Sequence, residues 1–267
     1  MRDMDRRLHE ILARKPDLVV DFPDWMLPAS EMNEVIKTGN VALAEMAGRD
    51  SFAAVIRACE TNPIQVIVPT VAYTGTEYGD WEITFEKIEI LRERLQSSNI
   101  RLVEAVVLGS PRLWWKLCGR YTTHFFKKFG YYSHCLGCHL YFHALRIPLA
   151  KKLRSNLIIG GERESHDGRI KINQTGMVLD IYRSFMKKYD IELLLPIRHI
   201  QSGKEIESML GMNWDEGGQQ LECVLSKNYQ EANGGVNMVE EAVRSYFDEF
   251  ALKTAGEIVD GYLRRLN

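Results

Sequence analysis

Cysteine and long apolar runs are both scarce in this sequence. Five cysteines in 267 residues are too few for a disulfide framework, so metal or redox chemistry is their better interpretation. No stretch approaches the roughly 20 consecutive apolar residues that cross a membrane. The charged start, residues 1–7, leads into no apolar run, so we expect no signal peptide and no membrane partner, and we predict a cytoplasmic setting.

Acidic residues are missing from the middle of the chain. Although the formal net charge is only −2, residues 105–161 contain no Asp or Glu. Aromatic rings alternate there with cations, and cations that bind phosphates beside rings that stack on bases are typical of nucleic-acid binding. The segment therefore indicates an RNA, or a smaller phosphorylated or heteroaromatic substrate, unless the rings are core and the cations a solvated face. The cations are Arg112, Lys116, Arg120, Lys127, Lys128, Arg146, Lys151, Lys152 and Arg154.

Apolar strand patterns alternate with helical patterns along the chain. This alternation is typical of an α/β fold with a largely parallel sheet and helices on both faces. We expect a helical N-terminal extension at 1–38, a central α/β domain at 39–228 and a C-terminal helical segment at 229–267 that is interrupted near Gly256. The predicted strands are 41–46, 64–73, 100–108, 156–159 and 191–196, and the main predicted helices are 49–60, 81–96, 138–153 and 176–189.

The first predicted strand runs into a tight turn and then a helix. Ala47 and Gly48 are small enough for a phosphate to approach the backbone, and Asp50 and Ser51 begin the helix, where backbone amides are free. A helix N-terminus of this kind binds anions, although plain α/β packing explains the same pattern. The loops 74–80, 109–120 and 160–168 also follow predicted strands, so we expect them at the same edge of the sheet.

The cysteines allow several chemistries. Cys135 and Cys138 form a C-x-x-C, and Cys223 is the third candidate ligand. A zinc site completed by histidine or Cys223, a redox dithiol and an iron–sulfur cluster with three cysteine ligands all remain open. Cys118 lies in the basic segment, where nearby cations lower a thiol pKa, so it is either a reactive thiol or a buried structural one. Cys59 is expected to be a core thiol.

Residues 46–51 resemble the pyrophosphate loop of the ATP pyrophosphatase superfamily, Ser-Gly-Gly-x-Asp-Ser. Met46 and Ala47 depart from that pattern, whereas Gly48, Arg49, Asp50 and Ser51 agree with it. The order of this loop, a C-x-x-C that opens a helix and one distant cysteine is similar to that of the iron–sulfur-dependent tRNA thiolation enzymes of the superfamily. The resemblance covers about residues 40 to 228.

The resemblance implies an adenine nucleotide alpha-hydrolase-like fold that binds ATP and Mg²⁺. It implies a [4Fe-4S] cluster on Cys135, Cys138 and Cys223, with zinc as the alternative. The nucleotide-binding residues that it implies are Ala47, Gly48, Arg49, Asp50, Ser51, Gly161, Glu162 and Arg198. Asp50 and Ser51 are the catalytic candidates, together with Cys118, which would carry sulfur as a persulfide if no cluster is present.

The function expected from these observations is ATP-dependent sulfur transfer. The carbonyl oxygen of a tRNA base or small heterocycle attacks the α-phosphate, which gives an adenylate and pyrophosphate. Sulfur from the open iron of the cluster, or from a persulfide, then displaces AMP, and a separate sulfur donor is an expected partner. Adenylation makes that oxygen a good leaving group, and Mg²⁺ and helix amides stabilise the developing charge. A homodimer is a possible assembly. The alternatives are a zinc-stabilised, non-catalytic nucleotide-binding protein and a cluster-dependent desulfidase that does not use ATP.

Overall fold

The computed structural model describes residues 27–211, 214, 220–232, 235, 236 and 238–266. Most of the predicted N-terminal extension, residues 1–26, therefore lies outside the described residues. Its last part forms the helix α1, Ala29–Thr38. Among the described residues, no helix is both long and apolar enough to cross a membrane.

The described strands form a six-stranded parallel sheet and a separate antiparallel pair. The sheet strands are β1 (Val41–Glu45), β2 (Val66–Tyr73), β4 (Arg101–Leu102), β5 (Val106–Gly109), β6 (Leu157–Ile159) and β7 (Glu192–Leu194). The antiparallel pair consists of β3 (Glu77–Tyr78) and β8 (Glu222–Cys223). All five residues of β1 are buried, as expected for a central strand of a sheet that is covered on both faces.

Helices connect these strands. The bounds of the helices after α1 are α2 (Arg49–Thr61), α3 (Trp81–Gln96), α4 (Pro111–Trp114), α5 (Thr122–Phe129), α6 (His134–Lys152), α7 (Gly176–Lys187), α8 (Gly203–Leu210), α9 (Glu240–Tyr246) and α10 (Leu252–Leu266). A π-helical turn, Trp115–Gly119, follows α4, and a second one, Phe247–Ala251, joins α9 to α10. The predicted α/β class is confirmed.

The chain changes direction within the sheet at β1. From β1 it moves outward through β2 to β4 and β5, and it then returns to the other side of β1 for β6 and β7. Ala42 pairs with Leu157 and Ala44 with Ile159, so the carboxyl ends of β1 and β6 are neighbours. Right-handed crossovers place the helices of the two halves on opposite faces. A crevice between the ends of β1 and β6 is the usual ligand site of such a sheet.

The predicted third strand, 100–108, is wrong as a single element. The structure divides it into β4, which pairs with Val66 and Ile67, and β5, which pairs with residues 70–73 of β2. The reason is Pro69 in β2. Val103 donates its amide to the carbonyl of Ile67, so the residues at 67 and 69 face this neighbour. Because proline has no N–H, the ladder is interrupted there.

The predicted interruption near Gly256 is also wrong. Gly256 lies inside α10, and the irregular turn of the C-terminal helices is the π-helical turn before it. α10 packs against α6, so the C-terminal helices cover the outer side of the helix that begins at the C-x-x-C. α5 was not predicted, although Phe125 and Phe129 have helical spacing, because the segment was interpreted only by its aromatic and basic composition.

Candidate functional site

Two loops meet where the chain changes direction in the sheet. Residues 46–51 follow β1, and residues 160–168 follow β6. A Cβ atom on Gly161 would lie 2.6 Å from the Cα of Ser51 and 2.9 Å from the carbonyl carbon of Asp50. Only glycine therefore allows this close approach of the two backbones. The structure brings Gly161 together with Asp50 and Ser51 at the crevice edge.

The hydroxyl of Ser51 closes the first loop. Its Oγ accepts hydrogen bonds from the amides of Ala47, at 3.0 Å, and Gly48, at 3.1 Å, and donates to the carbonyl of Gly48, at 2.6 Å. These bonds satisfy the two small-residue amides within the loop itself. The predicted contacts of Ala47, Gly48 and Ser51 with a phosphate stay predictions, and the visible role of the serine is to hold the turn.

An oxygen from a distant segment lies at the N-terminus of α2. Gln220 Oε1 accepts a hydrogen bond from the amide of Arg49 at 3.3 Å. A Cβ on Gly48 would lie only 2.4 Å from this oxygen. The glutamine oxygen therefore takes the place that an anion takes at other helix N-termini. Gln220 was not among the predicted residues, because no local pattern connects it with a loop 171 residues away in the sequence.

Two arginines hold the carboxylate of Asp50. Arg163 Nε lies 2.8 Å from Oδ2, and Arg49 Nε lies 3.1 Å from Oδ1. Burial alone raises the pKa of Asp50, but the hydrogen bond and charge of Arg163 outweigh it and keep that pKa below its usual value. Asp50 is therefore ionised at neutral pH. Arg163, which is fully buried, was not predicted although it lies in the predicted loop 160–168.

Arg198 lies in a different network. Its Nε donates to Glu164 at 2.6 Å, its Nη1 to Asp180 at 2.6 Å, and its Nη2 to the carbonyl of Gly176 at 3.1 Å. These bonds tie the loop after β6 to the start of α7. A contact between Arg198 and an anion stays a prediction, while Arg163 occupies the position beside the first loop.

The C-x-x-C lies at the start of α6. Ser133 caps this helix, because its Oγ accepts a hydrogen bond from the amide of Cys135 at 3.3 Å. Cys138 Sγ accepts one from Trp114 Nε1 at 3.4 Å. Both thiols therefore lie within the first two turns of a 19-residue helix.

The fold brings Cys223 to these two thiols. Cys223 pairs with Glu77 across β8 and β3, and Thr76 Oγ1 lies 3.2 Å from its Sγ. Burial, followed by the charges of Cys138 and Cys223, raises the pKa of Cys135 to about 12. Cys135 Sγ donates to the carbonyl of Leu225 at 3.9 Å, and the amide of Leu225 donates to Cys223 Sγ at 3.4 Å. The segment of Cys223 therefore lies beside the C-x-x-C, although it is distant in sequence.

Cys118 lies beneath the same group of thiols. It is fully buried, and burial together with a hydrogen bond to Cys138 raises its pKa well above the ordinary value. Of the two alternatives for Cys118, the thiol with a pKa lowered by the surrounding cations does not hold, because those cations do not outweigh the loss of water. A persulfide on Cys118 stays a prediction, whereas its burial agrees with the structural alternative.

The spacing of the sulfur atoms bears on the choice of metal. A tetrahedral zinc ion with Zn–S bonds of about 2.3 Å holds its sulfurs about 3.8 Å apart. Among the described residues, only one group of three His, Cys, Asp or Glu side chains has its ligand atoms all within 4.8 Å of each other. That group contains no cysteine. At least one pair among the sulfurs of Cys135, Cys138 and Cys223 is therefore more than 4.8 Å apart.

A buried charged group lies next to the two loops and was largely missed. His143 Nδ1 lies 2.8 Å from Glu45 Oε1, and His143 Nε2 lies 3.5 Å from Glu162 Oε1. His139 Nδ1 is 3.2 Å from Glu162, and Arg146 Nη1 is 3.5 Å from Glu45. Two signals were available in the sequence: an acid at the end of an apolar strand, and polar residues at helical spacing on α6.

The carboxylates of this group determine its charge state. Burial by itself lowers the pKa of His143, but the charges of Glu45 and Glu162 outweigh it and raise that pKa above its ordinary value. Burial raises the pKa of Glu162, but His143 and His139 reverse the effect and lower it to about 2. The two nitrogens of His143 thus face one carboxylate each, Glu45 and Glu162.

The basic, aromatic segment is partly core and partly surface. Phe125 is buried, whereas Trp115 and Phe126 are 50% and 61% exposed. The guanidinium of Arg120 lies 4.9 Å from the centre of the Trp115 ring, and Lys128 Nζ lies 2.6 Å from Glu249 Oε2. Both interpretations of the sequence therefore hold for part of the segment, and substrate binding by the exposed part stays a prediction.

The fold and these residues define a doubly wound α/β protein with its candidate site at the sheet's change of direction. No family model matches the chain. The sequence is 40% identical over 235 residues to the uncharacterized protein MJ0009 of Methanocaldococcus jannaschii, a match that covers 87% of this chain and 84% of that protein. The chain belongs to the same family as MJ0009.

A solved structure was also found to be similar. It is the U34-tRNA thiolase NcsA from Methanococcus maripaludis with its [4Fe-4S] cluster. The TM-score is 0.38 at 12% sequence identity, and the match covers 89% of this chain and 78% of that one. A score of this size does not establish a common function, so the functional argument depends on the residues of this chain.

Proposed function

We propose that this protein is an ATP-dependent sulfur transferase with a [4Fe-4S] cluster on Cys135, Cys138 and Cys223. The observation that carries the proposal is the convergence of Cys223 with the C-x-x-C. The same short segment that carries Cys223 also places Gln220 on the loop at the N-terminus of α2. The group of three cysteine thiols and the proposed anion-binding loop at the N-terminus of α2 are therefore connected within one crevice.

The donor set suits the proposed cluster. Two thiols lie in the first two turns of α6 with the segment of the third beside them, and the three lie too far apart for a single zinc ion to bind them all without rearrangement. When bound through three cysteines, a four-iron cluster supplies one iron with a coordination position open to inorganic sulfur.

The residues of the loops bind and orient the nucleotide in this proposal. A phosphate oxygen replaces Gln220 Oε1 at the amide of Arg49, and Gly48 leaves room for it. Arg163 neutralises the negative charge that develops as pyrophosphate leaves, and the ionised Asp50 is the candidate ligand of the Mg²⁺ that accompanies ATP. The carbonyl oxygen of the substrate attacks the α-phosphate, and AMP leaves when sulfur displaces it.

The exposed cations and rings of the basic segment bind the substrate. Trp115 and Phe126 offer surfaces on which bases stack, and Lys116, Arg120 and Lys127 offer charges for phosphates. A tRNA base satisfies both kinds of contact, and a small heterocycle satisfies the stacking alone. The sulfur donor is a separate partner.

Anaerobic purification tests the cluster. We expect brown protein with about four iron and four sulfide per chain, and we expect release of pyrophosphate from ATP when substrate is present. Cys135→Ala, Cys138→Ala and Cys223→Ala should each lose the absorbance and the sulfur transfer together. The matched control is Cys59→Ala, which changes a half-buried thiol on α2 and should cost only stability. Wild-type protein with one zinc and no iron would overturn the cluster.

A desulfidase that does not use ATP is the second candidate function. The observation that favours it is the loop itself, whose amides are bonded to Ser51 and Gln220. Such an enzyme would release sulfide from a thiolated base with no change in ATP. Pyrophosphate release that depends on substrate excludes this candidate, and sulfide release without nucleotide excludes the first.

A further inference from the structure

Three buried side chains form a compact group of ligand atoms at the crevice. Glu45 ends β1, His143 lies on α6, and Glu162 follows β6. One ligand atom from each lies within 4.8 Å of the other two. Their exposed fractions are 8%, 0% and 4%, so all three are withdrawn from water.

Two polar atoms of this group have no hydrogen-bond partner. They are His143 Nε2 and Glu162 Oε2. Leaving a buried polar atom unpaired costs about 1–3 kcal/mol, so native proteins keep few of them without a reason. His143 Nε2 points toward Glu162, 3.5 Å from its Oε1, while the other ring nitrogen is held by Glu45 at 2.8 Å. An imidazole oriented by a carboxylate, with its second nitrogen unbonded, is the usual preparation for metal binding.

The surrounding charges leave a place for a cation. Arg146 compensates Glu45 in part, but its guanidinium is held in place by Thr70 and by the carbonyl of Phe142. Glu162 also faces His139, whose Nδ1 lies 3.2 Å from its Oε1, while its Oε2 has no partner. A metal ion between His143 Nε2 and Glu162 would bond both unpaired atoms.

We propose that His143 Nε2 and Glu162 bind one divalent transition-metal ion, while Glu45 holds the imidazole through Nδ1 as a positioning residue. Imidazole and carboxylate ligands suit Zn²⁺, Fe²⁺, Mn²⁺ or Co²⁺, whereas Mg²⁺ and Ca²⁺ favour sites made of oxygen alone. His143 Nε2 lies 3.5 Å from Glu162 Oε1, close to the roughly 3.3 Å between N and O ligands of tetrahedral zinc. The site uses none of the cysteines, so it is independent of the cluster proposed above.

Cobalt distinguishes this site from the cysteines. The test uses the full chain with Cys135, Cys138 and Cys223 all replaced by Ala, titrated with Co²⁺ after treatment with a chelator. We expect one Co²⁺ per chain, with ligand-field absorption and no sulfur-to-cobalt charge-transfer band. Glu45→Gln and Glu162→Gln keep the shape of the side chain and should each weaken binding more than about 10-fold. Glu164→Gln, two residues from Glu162 but paired with Arg198, should leave it unchanged.

Manganese provides a second measurement on the wild-type chain, which does not require the cysteine variant to fold. Mn²⁺ avoids thiolates, so its electron paramagnetic resonance signal reports the nitrogen–oxygen site. We expect the bound signal to disappear in Glu162→Gln and to persist in Glu164→Gln. Failure of wild-type protein to bind Mn²⁺, or binding that Glu162→Gln leaves intact, would overturn the proposed site.

Discussion

Asp50 is held between Arg49 and Arg163 at the first turn of α2. Asp50→Asn keeps the shape but removes the charge that we propose for Mg²⁺. We expect pyrophosphate release to fall at least about 100-fold, as when one electrostatic contact to a transition state is lost. The control is Asp180→Asn, which removes an exposed carboxylate paired with Arg198 and should leave turnover unchanged. Wild-type turnover by Asp50→Asn would exclude the loop as the catalytic site.

Gly161 is the point where the two loops touch. Its added Cβ would lie 2.6 Å from the backbone of Ser51, so Gly161→Ala forces backbone to move. We expect a loss of about 1–3 kcal/mol in the free energy of unfolding, measured by urea denaturation. Gly256→Ala is the matched control. It lies inside α10 with its nearest neighbour at 3.6 Å, and should stabilise the protein by up to about 1 kcal/mol. Equal effects of both changes would contradict this packing.

At this scale, the residues predicted from sequence were those with local patterns. The spacing of Cys135 and Cys138 and the sequence of loop 46–51 are visible within a few residues. Arg163 and Gln220 were missed because their partners are distant in sequence and only the fold brings them together. The metal group was missed because Glu45 and His143 belong to segments that apolar patterns dominate.

The segment with Gln220 connects two elements, β8 and the N-terminus of α2. Gln220→Ala removes the oxygen that competes with a phosphate for the amide of Arg49. One hydrogen bond is worth about 0.5–1.5 kcal/mol, so we expect ATP to bind about 2- to 10-fold more tightly. Calorimetric titration measures the change. Gln96→Ala, on the exposed end of α3, is the control and should have no effect. Weaker binding by Gln220→Ala would indicate that the glutamine contacts the nucleotide directly.

The order and type of the main elements followed from hydrophobic pattern, because buried parallel strands and amphipathic helices differ in length and period. The errors have local causes. Pro69 acts on the neighbouring strand rather than its own, so it divides 100–108 into β4 and β5. The helix α10 is continuous through Gly256, where we predicted a break, and the irregular turn is the π-helical turn that precedes α10.

For the whole molecule, the basic segment predicts a salt dependence. Each phosphate neutralised by a lysine releases counterions, so tRNA affinity should fall steeply as salt rises. Replacing the half-buried Lys116 and the exposed Lys127 by Ala should reduce the slope of log K against log salt by about 1 for each lysine. Lys253→Ala, exposed on α10, is the control and should leave the slope unchanged. Absence of tRNA binding at low salt would favour a small heterocyclic substrate.

The short distance between Gln220 and Cys223 has a thermodynamic consequence. Three residues of extended chain span at most about 10 Å, so a movement of one reaches the other. β8 is fixed to β3 through Cys223, so displacement of Gln220 by the proposed phosphate would strain or release the thiol that we propose as the third ligand. Linkage is reciprocal. If bound nucleotide changes the affinity of the three thiols for their metal by some factor, then bound metal changes the affinity for nucleotide by the same factor. Protein with the metal bound would thus differ from metal-free protein in its affinity for ATP, and its affinity for the metal would in turn depend on whether ATP is bound.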